Sequence, residues 1–154
     1  MGVTGESQTL HATSVAIEGR AVLLMGLSGS GKSDLALRLI DRGGKLVSDD
    51  YTVLTRLGET LMASAPDRIA GKIEVRGVGI VEMELVAAAP VAVILNLGAE
   101  VERYPGVMQV TEIAGIAIPT LPLSPWEASA PIKVALALRA FGLATDGDGV
   151  AAAS

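Results

Sequence analysis

The chain has 154 residues, half of them apolar and only four aromatic, which predicts one domain cored by Ala, Val, Leu and Ile. Its net charge of −5 excludes the basic footprint that nucleic acid requires, though not ATP, which needs only local cations. The absence of cysteine excludes disulfides, thiolate metal sites and cysteine nucleophiles, while 18 glycines and 7 prolines imply many turns and an α/β or α+β build.

Residues 1–7 are small and polar, unlike a signal peptide. The longest uncharged stretch, 85–99, is too short to span a bilayer and carries Pro90 and Gly98. No membrane partner is expected. Residues 10–17 alternate loosely and predict a strand, and 18–20 turn into a second, so 10–25 reads as a hairpin. His11, the single histidine, is open to a structural or a catalytic reading.

The apolar run 21–25 suits a buried strand. It leads into Gly26-Leu27-Ser28-Gly29-Ser30-Gly31-Lys32-Ser33, which fits G-x-x-x-x-G-K-[ST], and residues 34–42 follow with helical spacing, stopped by Gly43-Gly44. Strand, glycine loop and helix in that order make a phosphate cradle, the P-loop. Glycines let backbone N–H groups approach phosphate oxygens, and the helix start adds unpaired donors and a positive dipole end. Lys32, on an exposed loop, is expected to reach the outer phosphates, and Ser33 to ligate Mg²⁺. The alternative is a tight Gly/Ser turn before an ordinary helix.

Residues 45–48 form a short apolar strand ending in Asp49-Asp50. Adjacent acids repel, so one of them needs a cation or a hydrogen bond. They read either as organisers of Mg²⁺ and nucleophile or as a solvated turn. Residues 51–61 predict a hairpin around 56–59, and 64–68 a loop. The stretch 73–81 reads as one extended segment with Glu74 and Arg76 on one face. Gly77 and Gly79 within it suggest close backbone approach or positive φ. That pair suits a metal ligand with a phosphate clamp, or an exposed strand edge. Residues 91–97 form the most apolar strand and the expected centre of the sheet. A polar loop at 100–105 carries Arg103, two strands follow at 107–113 and 116–119, and 121–131 is irregular. Residues 132–141 predict a helix with a glycine stop.

In this order and spacing, His11, the P-loop, Leu46-Val47-Ser48-Asp49-Asp50 and Glu74-Val75-Arg76-Gly77-Val78-Gly79-Ile80 resemble the catalytic domain of HPr kinase/phosphorylase. The resemblance is to the short, alphaproteobacterial-type form that begins almost at the catalytic domain. It implies one α/β domain of the phosphoenolpyruvate-carboxykinase-like P-loop type, a mixed sheet with flanking helices over 10–143. Tails are expected at 1–9 and 144–154. The resemblance makes Asp50 the acceptor of the substrate serine's proton, with His11, Lys32 and Arg103 as further active-site residues. It has Ser33 and Glu74 holding Mg²⁺. ATP and Mg²⁺ are the implied cofactors, HPr the protein substrate, a hexamer the implied assembly, and the cytoplasm the compartment. The family's basic segment before its C-terminal helices, tied to dephosphorylation, has no cation here between Leu121 and Ser129, so kinase activity is expected to outweigh phosphorylase activity. A small-molecule P-loop kinase and an ATP-sensing module without turnover are the alternatives. The first lacks an arginine-rich lid here. The second has no need of so many acids near a triphosphate.

Overall fold

The computed structural model describes residues 7–104 and 106–144. The expected tails therefore fall largely outside the described residues. Strands β1 (Ser7–Leu10) and β2 (Ala12–Ile17) flank a bend at His11, and β3 (Arg20–Met25) returns against β2. The glycine loop leads into α1 (Lys32–Asp41), followed by β4 (Lys45–Ser48) and a hairpin of β5 (Thr52–Leu57) and β6 (Thr60–Ser64). A 3-10 turn (Asp67–Ile69) precedes β7 (Lys72–Val75), β8 (Gly79–Glu82) and the long β9 (Ala88–Asn96). The hairpin of β10 (Gln109–Ile113) and β11 (Ile116–Pro122) and the helix α2 (Ala130–Phe141) complete the order.

The apolar run at 91–97 does become the centre of the sheet. One edge of β9 pairs in parallel with β3. Its other edge is shared, antiparallel with β6 at residues 88–90 and parallel with β11 at 94–96. Two wings therefore diverge from β9, β6-β5-β1 and β11-β10, while β2 and β4 extend the sheet beyond β3. This is a mixed α/β fold with a curled sheet and, among the described residues, two helices.

Alternation along β3 supplies both cores, as period-2 geometry requires. Val22 and Leu24 pack with Leu35 and Leu39 of α1 and Val134 and Leu138 of α2, so both helices cover one face. Ala21 and Leu23 point the other way, to Leu54, Leu61, Ile94 and Ile118 inside the curl. The β3–β9 register shifts between Ala21 and Val22, pairing Ala21 with Val91 but Val22 with Val93. The extra residue, Ala92, lets β9 change phase and stay aligned with β3 on both faces, the usual service of a β-bulge.

Helix α1 stops where the sequence predicts. Gly43 N–H bonds to Ile40 O at 3.0 Å and Gly44 N–H to Leu39 O at 2.9 Å, the paired contacts of a Schellman ending. Three local expectations change. Residues 7–9, expected as tail, form most of β1, which pairs with β5. The stretch 73–81 is a separate hairpin, turning at residues 76–78, so Arg76 leaves the strand and does not share a face with Glu74. Gly77 and Gly79 have φ of +85° and +116° with open space around them, so turn conformation and not close approach asks for glycine. Lastly, only 123–129 of the expected irregular stretch lies outside β11 and α2.

Candidate active site

The start of β2, the ends of β3 and β4, and β7 meet at one edge of the sheet. There the backbone of Asp50 adopts a φ of 70°, a conformation that L side chains rarely adopt and that tertiary contacts must hold. Those contacts are present. Asp50 N–H donates to Thr13 Oγ1 at 2.9 Å, and Asp50 Oδ1 lies 2.7 Å from His11 Nε2. An ionised Asp50 accepts only, so this bond places the proton on Nε2. The His11 ring stacks on Tyr51, with centroids 5.2 Å apart and planes 25° from parallel.

Asp49, next in the chain, points the other way and is buried. Its Oδ1 accepts from Ser33 Oγ at 2.6 Å and Thr13 Oγ1 at 3.2 Å, and its Oδ2 accepts from the Glu74 backbone N–H at 3.1 Å. One carboxylate thus ties together β2, α1 and β7. Hydrogen bonds to a charged acceptor contribute about 1.5–3 kcal/mol each, so three can offset much of the cost of burying that charge. Thr13, fully buried, is the second hub, because one hydroxyl serves both acids. The two carboxylates are adjacent in sequence, yet one is enclosed by donors and the other, half-exposed, faces solvent and His11.

The glycine loop ends at Gly31, which has φ +96° and heads α1. Lys32 is not exposed as its loop position suggests. It is 5% accessible, and Nζ donates to Gly26 O at 2.8 Å and Leu27 O at 3.1 Å. Its four-carbon stem packs down while the ammonium arches over its own loop, on carbonyls with which phosphate oxygens compete for the same donor. Leu27, Ser28 and Gly29 are open to solvent at the tip. Ser30 Oγ is buried without a hydrogen-bond partner.

The structure therefore brings together His11, Asp50, Ser33 and the backbone of Glu74, around Asp49. The Glu74 side chain itself is exposed. Arg103 is not brought in. It lies exposed in the loop after β9, and its neighbours Glu102 and Tyr104 line a cavity of about 530 Å³ beside β10 and β11. Among the described residues no group of three or more His, Asp or Glu side chains is placed to hold a metal alone. Sequence reasoning missed Thr13, Tyr51 and the clamp formed by Arg38. That side chain donates from Nη2 to Pro125 O and from Nη1 to Glu127 O at 3.2 Å, fastening segment 123–129 to α1. A threonine in a buried strand two residues after the site histidine was the available signal for Thr13.

Comparison with known proteins identifies the family. The HPr Serine kinase C-terminal domain family matches residues 4–90. An HPr kinase/phosphorylase from Caldicellulosiruptor bescii is 37% identical over 126 residues, covering 73% of this chain and 40% of the relative. One from Prosthecochloris aestuarii is 35% identical over 133 residues, covering 77% of this chain and 39% of the relative. The chain thus spans about two fifths of the length of these curated relatives. The structure of the Hpr(Ser) kinase/phosphatase from Coxiella burnetii superposes with a TM-score of 0.75 at 27% identity, over 86% of this chain and 94% of that one. By the family match across the glycine loop, both acids and the β7–β8 hairpin, this chain belongs to the HPr serine kinase C-terminal domain family.

Proposed function

We propose that the chain is an ATP- and Mg²⁺-dependent protein kinase that phosphorylates a serine of the phosphocarrier HPr, working in the cytoplasm as part of a homo-oligomer, the family's hexamer. The observation that carries this is the pair of aspartates held in opposite roles, Asp50 on His11 and Asp49 on Ser33, beside the glycine loop. In this reading residues 10–143 form one catalytic domain of the phosphoenolpyruvate-carboxykinase-like P-loop type, and residues 26–33 are its phosphate cradle.

Lys32 gives up the carbonyls of Gly26 and Leu27 to pair with the β- and γ-phosphates. The start of α1 directs backbone N–H groups at them. Ser33 Oγ and Asp49 already sit within hydrogen-bond distance, and a magnesium site built from one carboxylate, a hydroxyl and phosphate oxygens fits them, with Glu74 alongside. Mg²⁺ bound there supplies charge neutralisation on the transferring phosphoryl group. Asp50 accepts the proton of the serine hydroxyl as its oxygen bonds to the γ-phosphorus and the bond to ADP breaks. His11 holds the carboxylate in line through Nε2–H. Arg103, on its open loop, closes over the phosphates when HPr docks.

The forward direction is favoured. Dephosphorylation by inorganic phosphate needs extra cations to hold a second anion, and segment 123–129 contributes none. The cations that touch the segment are already engaged, Lys133 with the Glu127 carboxylate at 2.6 Å and Arg38 with Asp34 and the Pro125 and Glu127 carbonyls. Serine-phosphorylated HPr in millimolar phosphate is therefore expected to lose its phosphate more slowly than HPr gains it from ATP.

Transfer from labelled ATP to HPr, with free metabolites as rival acceptors, tests the reading. HPr is expected to take the label, and Asp50→Asn to lower kcat by about 10²–10⁴-fold, more than Asp49→Asn does. Label on a metabolite, or ATP bound without turnover, overturns it.

A further inference from the structure

Trp126 is the chain's one tryptophan, and it is 67% exposed. It is nevertheless held in place. A Cβ built on Gly31 lies 3.1 Å from Trp126 Cη2 and 3.2 Å from Pro125 Cγ, so the indole edge rests on the backbone of the glycine loop. The Arg38 guanidinium grips the carbonyls on either side of Trp126, those of Pro125 and Glu127, while its Nε bonds to Asp34 Oδ2 at 3.1 Å. At one end of the segment Leu123 N–H bonds to Asn96 O at 3.1 Å, and at the other Glu127 pairs with Lys133. The segment is thus fixed at four points, to the end of the central strand and to both helices. What it presents to solvent, one residue before Lys32, is a large aromatic surface.

We infer that Trp126 is the stacking platform for the base of the nucleotide whose phosphates residues 26–33 hold. The inference rests on the phosphate-site reading above. A nucleotide carries its flat base on the same molecule as its phosphates, so binding at the cradle delivers an aromatic partner beside the loop. A rigidly held indole offers that base a face with little ordering cost. Stacking accepts any base with a π-face, so this platform supplies affinity and leaves ATP and GTP poorly distinguished. Gly31 belongs to the same device, since any side chain there meets Trp126 and Pro125 as well as a φ that L residues avoid.

Calorimetry with Mg-ATP and with magnesium tripolyphosphate, which has the phosphates and no base, separates the two readings. The wild type is expected to bind ATP at least about fivefold more tightly than tripolyphosphate, with a change in its tryptophan fluorescence on binding ATP. Trp126→Ala removes that gap and leaves tripolyphosphate affinity unchanged, and Trp126→Phe restores most of it. Equal affinities in the wild type, or a gap that survives Trp126→Ala, overturn the platform and leave the phosphate site standing. If neither ligand binds, the phosphate site falls and the platform with it.

Discussion

At the end of β4 the polar groups are tied before any substrate arrives: Asp49 has three donors, Asp50 has His11 and Thr13, and Lys32 has two carbonyls. In the loop after β9 Arg103 is exposed and makes no hydrogen bond or ion pair among the described residues. One region is organised by long-range contacts among strands and helix. The other holds its cation by no such contact among the described residues. Under the proposed function, the difference separates catalytic groups that must be positioned at all times from one that needs to act only when the acceptor protein is present, since preorganisation helps most where charge develops.

If that contrast holds, mutations in the two regions differ in kind as well as size. Lys32→Ala is expected to lower phosphoryl transfer by about 10²–10³-fold through loss of phosphate pairing. Because Lys32 is buried on its own loop's carbonyls, the same change also costs about 1–3 kcal/mol of stability, read by chemical denaturation. An unchanged denaturation midpoint would mean that the tied ammonium contributes nothing to the fold. Thr13→Val keeps the shape of the side chain but strips a partner from Asp49 and from Asp50 N–H. It is expected to cost about 1–3 kcal/mol and to lower kcat while KM for ATP stays close to wild type. A stable Thr13→Val enzyme with full kcat would remove Thr13 from the account. Arg103→Ala sits at the opposite end: stability within about 0.5 kcal/mol of wild type, with the loss confined to kcat/KM for HPr. A clear drop in stability there would show that the loop is built into the fold like the β4 edge, and the contrast would fail.

How much of this was legible in the sequence follows the range of the interactions. The glycine loop, β3, α1 and β9 were legible because their signals are local, in glycine spacing, apolar runs and a helix stop. The pairing of His11 with Asp50 spans 39 residues, and no pattern within either strand announces it. Each residue stands out alone, His11 as the single histidine and Asp50 in an acidic pair, but the contact between them comes from β2 lying between β3 and β4. Thr13 offered only its place, a threonine in a buried strand two residues after His11, which strand propensity alone also explains. The hairpin at 72–82 reads as one extended segment in the sequence because Val75 and Ile80 favour strands on either side of the turn and Val78 carries the same preference into it. Gly77 was the signal that the chain reverses there. Arg103 belongs to a loop whose sequence carries no periodicity, so only its charge could be read.

The central claim is that this edge moves a phosphoryl group onto a serine hydroxyl of HPr, and mass spectrometry of HPr after incubation with the protein, ATP and Mg²⁺ tests it most directly. The account predicts a single added phosphate on one serine, absent from HPr with that serine changed to alanine and absent when the protein carries Asp50→Asn. Unmodified HPr while ATP is consumed, or phosphate on a residue other than serine, would contradict it.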